Sequence, residues 1–201
     1  IVYTDHIDNT DGVLYFKNIY TSYIEQSPEP VICFCPTTKF TEDHNTVTNF
    51  ILNSNRTRDA VVVEINSKVK GIYIGTKNNF TKIDIFNKDN GLTTEKEPDC
   101  EIYNTLKKIK ELYPDKDIYV NGFNCLNRGV TLQTNGFNFT DVVIPLVKDP
   151  ATRVQLAGRS NGGSKFIKNT NNIYIHKKCY NELIEYIDYS MKLIYAAPVE
   201  V

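Results

Sequence analysis

Long apolar runs are missing from this chain of 201 residues. No stretch of about 18 consecutive apolar residues occurs, which excludes an ordinary membrane-spanning helix. Glycine and proline are modest, at 10 and 8 residues, and no Gly-x-y period exists, which excludes collagen and long disorder. The chain begins at Ile1 without Met or a basic signal region, so we expect a fragment of a longer protein.

Cysteine pairs with the spacing of a zinc site are also missing, since the five cysteines contain no Cys-x-x-Cys. Cys33 and Cys35 lie inside an apolar run and are interpreted as buried thiols, which indicates an intracellular, reducing compartment. The three histidines, His6, His44 and His176, are scattered without a partner at metal spacing. We therefore predict no metal site on this chain and a structural role for each histidine.

The chain also lacks a strong charge of either sign, because 23 Lys and Arg residues face 24 Asp and Glu residues, for a net charge of -1. A dedicated nucleic-acid module is usually strongly basic, so any contact with nucleic acid must be local. The run Lys107, Lys108 and Lys110 is interpreted as the solvated side of a helix.

What is present is an alternation of buried strands and amphipathic helices. Short apolar runs predict strands at 31–35, 60–65, 117–120, 141–147 and 172–176, and a hairpin or edge strand at 71–85. Helical spacing predicts helices at 13–25, 41–52, 100–113 and 178–195, and a helix opening at 154–156, with Thr41 or Asp43 capping the second. This alternation predicts one α/β domain over residues 1–201, a parallel sheet of five or six strands flanked by helices, with 172–201 its terminal strand and helix.

Two segments that follow predicted strands place an arginine beside glycine. Residues 121–132 (NGFNCLNRGVTL) follow the third strand, and residues 153–163 (RVQLAGRSNGG) follow the fourth. Ligands of parallel sheets bind beyond the carboxyl ends of the strands. An arginine there can form two hydrogen bonds to phosphate oxygens, while glycine lets backbone amides approach.

These segments resemble the second RecA-like domain of superfamily 2 helicases and translocases. The fifth motif of that family has an Arg-Gly-aliphatic-Asp/Ser/Thr core, matched by Arg128-Gly129-Val130-Thr131. Its sixth motif reads Gln-x-x-Gly-Arg-x-x-Arg, matched by Gln155-Leu156-Ala157-Gly158-Arg159, and its fourth is resembled by the strand and threonines of residues 31–38. The resemblance spans roughly residues 12–168 and is strongest to viral and mobile-element members, including origin-binding-type helicases.

The resemblance implies a RecA-like fold and the C-terminal motor lobe of an ATP-dependent helicase, a hydrolase acting in replication. ATP and Mg²⁺ would be bound mainly by the first RecA-like domain of the same chain. The implied roles are catalysis by Arg159 and Gln155, ATP contacts by Arg128, Gly129, Thr131 and Gly158, and contacts to the DNA or RNA backbone by Thr37, Thr38 and Asn124.

The sequence departs from the family pattern at two places, and it lacks the P-loop that belongs to the first RecA-like domain. Gly162 stands where the sixth motif has its second arginine, and Gly122-Phe123-Asn124 stands where many relatives have Thr-Asp. No G-x-x-x-x-G-K-[ST] occurs, so we expect the chain alone not to hydrolyse ATP.

Other classes stay open. Gly162 favours a helicase-derived lobe without ATPase activity that binds nucleic acid or protein. Alternatively, the two arginine segments hold a phosphate in an unrelated α/β enzyme, such as a nucleotide or sugar transferase. Arg128 and Arg159 could also be surface arginines in ordinary loops.

The near-zero net charge predicts weak, salt-sensitive binding of nucleic acid by this chain, because little long-range attraction to phosphate exists. Fluorescence anisotropy with a single-stranded oligonucleotide should give a dissociation constant of about 10⁻⁴–10⁻⁶ M, weakening between about 50 and 200 mM salt. Nanomolar binding at physiological salt would instead identify a dedicated nucleic-acid-binding domain.

Overall fold

A computed structural model describes residues 1–8, 10–38, 40–56, 59–65, 70–76, 79–84, 102–122, 137–149, 151–152, 154, 156 and 172–196. Eight strands form one sheet, in the spatial order β1-β8-β7-β2-β6-β3-β4-β5. Their bounds are β1 Val2–Tyr3, β2 Ile32–Phe34, β3 Ala60–Ile65, β4 Lys70–Thr76, β5 Asn79–Asp84, β6 Asp117–Asn121, β7 Asp141–Val143 and β8 Asn172–Ile175.

Six neighbouring strands, from β1 to β3 in the spatial order, run parallel. The antiparallel strands β4 and β5 continue the sheet beyond β3, which confirms the hairpin predicted over residues 71–85 from its strand composition. The predicted α/β fold, a RecA-like arrangement of a parallel sheet flanked by helices, is confirmed. The terminal strand β8 lies inside this sheet, between β7 and β1.

Among the described residues the helices with defined bounds are α1 Gly12–Ile19, α2 Thr41–Leu52, α3 Ile102–Leu112 and α4 Lys177–Ala196. A π-helical turn, Tyr20–Ile24, prolongs α1, and together they occupy the span predicted as one helix. Ala151, Thr152, Val154 and Leu156 are also helical, where a helix was predicted to open. None of the helices in the described part of the chain has the length and apolar character needed to cross a bilayer.

Alternation along the strands divides the core into two clusters, one on each face of the sheet. Phe34 and Val120 point to the face covered by α3 and α4, where Leu106, Ile109 and Leu183 pack. Cys33 and Tyr119 point to the other face, under α1 and α2. The buried runs of β2, β3 and β6 are apolar on both sides because helices cover both faces.

Three local predictions differ from the structure. The predicted strand 141–147 ends at Val143, close to Pro145, which has no N–H to donate to a neighbouring strand. The N-cap of α2 is Phe40 and not Thr41 or Asp43, and it makes no side-chain capping bond. The two-residue strand β1 was not predicted, because two residues are too few to show a period.

The amino-terminal edge of the sheet is held by a buried ion pair between Arg56 and Asp117. The Arg56 guanidinium bonds Asp117 at the start of β6, and its side chain and that of Asp117 are 5% and 0% exposed. It also donates to four backbone carbonyls at 2.8–3.2 Å. These belong to Ile24, which ends the π-helical turn, and to Glu25, Ser27 and Glu29, which follow it. Asp117 in turn accepts the amide of Val31, next to β2.

Replacing Arg56 with Ala should lower the free energy of unfolding by about 3–5 kcal/mol, because the Asp117 carboxylate is left buried without its charge partner. Urea denaturation measures this loss. The matched control is Lys107→Ala, which removes an exposed ion pair to Glu111 at 3.9 Å and should cost less than about 0.5 kcal/mol. Equal losses in the two variants would contradict the assigned role of Arg56.

Candidate functional site at the carboxyl edge of the sheet

The carboxyl ends of the six parallel strands meet at one edge, and the chain diverges there between β2 and β7. From β2 the chain continues through α2 on one face of the sheet to β3. From β7 it continues past Leu156 on the opposite face to β8. Ligands of open parallel sheets bind where neighbouring strands send their connections in opposite directions. The crevice between β2 and β7 is therefore the place to look for a site.

Most of the sequence-predicted site residues lie outside the described residues. Arg128, Gly129, Thr131 and Asn124 follow β6 in sequence, and Gln155, Gly158 and Arg159 follow β7. Their roles stay predictions. The structure establishes where these segments begin: β6 ends at Asn121 and β7 at Val143, on either side of β2.

Thr37 and Thr38 are described, and both follow β2 at this edge. Thr38 Oγ1 donates to the Asp43 carboxylate in the first turn of α2 and accepts the Phe40 amide at 3.1 Å. Thr37 is 5% exposed, and its Oγ1 is buried without a hydrogen-bond partner in the described part of the chain. The Thr37 hydroxyl is therefore buried, and the hydroxyl of the half-buried Thr38 is already paired within the protein. A contact of Thr37 to a sugar-phosphate backbone would require the loop to move.

Charge around this loop is negative among its nearest described neighbours. Asp11 caps α1 by accepting the amides of Val13 and Leu14, and Glu42 and Asp43 lie in the first turn of α2. Carboxylates at these positions are favourable for the two helix dipoles but repel a phosphate. The sequence-based hypothesis assigns attraction for a phosphate at this edge to Arg128 and Arg159, which lie outside the described residues.

A close contact fixes the loop after β2, residues 35–38 (the threonine loop), against α1. Gly12, the first residue of α1, lies so near the loop that a Cβ added there would be 2.3 Å from the Thr37 carbonyl oxygen and 3.1 Å from Thr38 Cγ2. Only a residue without a side chain fits against a backbone carbonyl at this distance. The loop after β1 and the loop after β2 are thereby held together.

Behind the threonine loop lies a buried polar network that the sequence analysis did not single out. His44 Nε2 donates to the Thr38 carbonyl at 2.7 Å. The side-chain amide of Asn121, the last residue of β6, donates through Nδ2 to the His44 backbone carbonyl at 2.9 Å. The same nitrogen approaches Thr48 Oγ1 at 3.4 Å. Thr48 Oγ1 donates to Glu64 of β3 at 2.6 Å. One signal in the sequence pointed to it, since Glu64 is a carboxylate inside the otherwise apolar run AVVVEI.

The side chains of Cys33 and Tyr119, on the same face of the sheet as α2, are fully buried. Burial raises the pKa of the Cys33 thiol well above its usual range, and burial likewise raises the pKa of the Tyr119 phenol. Both groups are therefore neutral at physiological pH, and Cys33 offers no thiolate for nucleophilic chemistry. The prediction that Cys33 and Cys35 are buried thiols is confirmed.

The described residues do not hold a metal centre. No group of three or more His, Cys, Asp or Glu side chains within the described ranges is arranged to ligate an ion. The Mg²⁺ expected with ATP finds no ligand set in this part of the chain.

Comparison with known proteins adds no family assignment. No family model matches the chain, and no curated protein matches it at a significant level. The resemblance to superfamily 2 helicases therefore depends on the motif residues and on the fold.

Substituting Gly12 with Ala should destabilise the protein by about 1–3 kcal/mol, because the new methyl group meets a backbone carbonyl that can yield only by displacing the threonine loop. Urea denaturation measures the change. Leu14→Ala in the same helix is the control, since Leu14 is 47% exposed and its truncation should cost little. An unchanged or raised stability for Gly12→Ala would show that the contact between the two loops is not tight.

Proposed function

We propose that this chain is the C-terminal motor lobe of an ATP-dependent nucleic-acid helicase or translocase of superfamily 2. One observation supports this best: β6 and β7 flank β2 and end at the same edge of the parallel sheet. The chain therefore leaves β6 toward Arg128, and β7 toward Arg159, from the two strands that neighbour β2. In the proposal both arginines act on one polyphosphate.

In this proposal ATP bridges two lobes. The first lobe holds the nucleotide and Mg²⁺, and Arg159 completes the site by stabilising charge on the transferring γ-phosphoryl group. Gln155 senses the nucleotide, and Gly158 supports the turn. The segment Arg128-Gly129-Val130-Thr131 links nucleotide state to the nucleic-acid groove. Closing and reopening of the lobes would move the protein along DNA or RNA.

Contacts to nucleic acid in this proposal involve the backbone and not the bases. Asn124 and the threonine loop would supply them, with Thr37 turning outward from its buried position and Thr38 exchanging its bond to Asp43 for the nucleic acid. The carboxylates of Glu42 and Asp43 keep such contacts weak. This agrees with the weak binding expected from the net charge.

A lobe without ATPase activity is the second candidate, and Gly162 favours it. In the family pattern that position holds the second arginine of the sixth motif, which often contacts the γ-phosphate. A lobe that has lost this arginine could still bind nucleic acid or a protein partner. The kinetic comparison below separates the two candidates.

Arg159→Ala in a protein that contains both lobes should lower kcat by about 10³–10⁵-fold, the range of arginine fingers, while ATP binding is nearly unchanged. The difference follows because the arginine acts mainly in the transition state and the first lobe holds the nucleotide. Arg159→Lys should not restore activity, since an ammonium group cannot reproduce the planar fork. Steady-state ATPase kinetics and nucleotide titration measure the two effects.

Lys165→Ala is the matched comparison, because Lys165 lies three residues beyond Gly162 and could replace the missing arginine. Loss confined to Lys165→Ala would remove Arg159 from the assigned role. No loss in either variant would favour the inactive lobe. Steady hydrolysis by the 201-residue chain alone, abolished by Arg159→Ala, would contradict the two-lobe mechanism.

A further inference from the structure

His44 and Asn121 join the two loops that the proposed function needs. His44 lies in the first turn of α2 and is 2% exposed, and Asn121 is the last residue of β6 and fully buried. Two hydrogen bonds connect Thr38 to Asn121 through His44. His44 Nε2 donates to the Thr38 carbonyl at 2.7 Å, and Asn121 Nδ2 donates to the His44 carbonyl at 2.9 Å. The threonine loop is thereby tied to the point where the chain leaves β6 toward Arg128.

The direction of these bonds follows from the chemistry of the groups. The Thr38 carbonyl can only accept, so His44 Nε2 must carry a proton. The other ring nitrogen, Nδ1, is buried without a partner in the described part of the chain, as is Asn121 Oδ1. Each side chain donates one hydrogen bond and leaves a second polar atom unpaired.

Of the four buried side-chain polar atoms without a hydrogen bond in the described part of the chain, three lie at this edge, and the fourth is the Tyr119 hydroxyl in the middle of β6. A buried polar atom without a hydrogen bond is unfavourable, and native structures contain few of them. Thr37 Oγ1 adds a third at the same edge. The network therefore has hydrogen-bonding capacity for another arrangement of the loops, whereas the Arg56 guanidinium at the opposite edge donates to one carboxylate and four carbonyls.

We infer that His44 and Asn121 are positioning residues that set the threonine loop, residues 35–38, relative to the chain leaving β6, and so couple the nucleic-acid side of the lobe to its nucleotide side. The coupling rests on the proposed function. The positioning does not, because it follows from hydrogen bonds within this chain. The two parts can therefore be tested separately.

Positioning is tested by amide hydrogen exchange on the 201-residue chain. The amides to follow are those of Cys35, bonded to the Val120 carbonyl at 3.0 Å, and Phe40, bonded to Thr38 Oγ1 at 3.1 Å. His44→Phe and Asn121→Leu keep the shape and remove the donors, so both amides should exchange on the order of tenfold faster. The amide of Ile118, bonded to Val31 at the amino edge, should not change.

Rescue distinguishes a lost donor from a lost shape. His44→Gln keeps an amide donor at the reach of Nε2 and should restore slow exchange at Phe40. Asn45→Ala is the control for Asn121→Leu, because Asn45 is an exposed asparagine on α2. This variant should leave the exchange rates of the Cys35 and Phe40 amides unchanged. Uniform acceleration that includes Ile118, or no acceleration at Cys35 and Phe40, would overturn the inference.

Coupling is tested by ATPase kinetics in a protein that contains both lobes. His44→Phe and Asn121→Leu should reduce the stimulation of ATPase by a single-stranded oligonucleotide about tenfold, while the rate without oligonucleotide stays within about twofold of the parent. His44→Gln should retain the stimulation. Full stimulation in all variants would overturn the coupling. If the unsubstituted protein hydrolyses no ATP, the proposed function fails, and the exchange experiment still decides the positioning.

Discussion

The ion pair between Arg56 and Asp117 determines how the central strands start. Asp117 opens β6, the strand between β2 and β3, and its carboxylate also accepts the amide of Val31. Arg56 donates hydrogen bonds to the backbone carbonyls at the end of the π-helical turn and in the turn that follows it. One guanidinium thus connects the end of the first helix with two neighbouring strands. Because both charges are buried, removing either leaves the other without compensation, and this makes the contact a constraint on the rest of the sheet.

The two edges of the sheet differ in how completely their polar groups are paired. At the amino edge, the Arg56 guanidinium and the Asp117 carboxylate bond each other and backbone groups of the same region. At the carboxyl edge, Thr37, His44 and Asn121 each keep a buried polar atom unpaired among the described residues. The fourth unpaired atom, the Tyr119 hydroxyl, lies between the two edges in the middle of β6. The segments that contain the motif residues follow the strands at the carboxyl edge.

Much of the fold was predictable because its signals are local. The apolar run Ala60–Ile65 and the helix Thr41–Leu52 have the predicted bounds, since each shows its own period within a few residues. Of the candidate site, the placement of Thr37 and Thr38 beyond β2 was predictable from the order of elements. The burial of Thr37 and the pairing of Thr38 with Asp43 were not, because both depend on how α2 packs on the sheet.

The sequence by itself determined the fold class, the order of strands and helices, and the two arginine segments that motivate the proposed function. Only the tertiary structure decided which strands are neighbours, and therefore that β6 and β7 enclose β2. It also decided the partners of Arg56 and Asn121, which lie 61 and 77 residues away along the chain. The physical reason is that periodicity reports the faces of one element, whereas a hydrogen bond between distant residues forms only after the elements have packed.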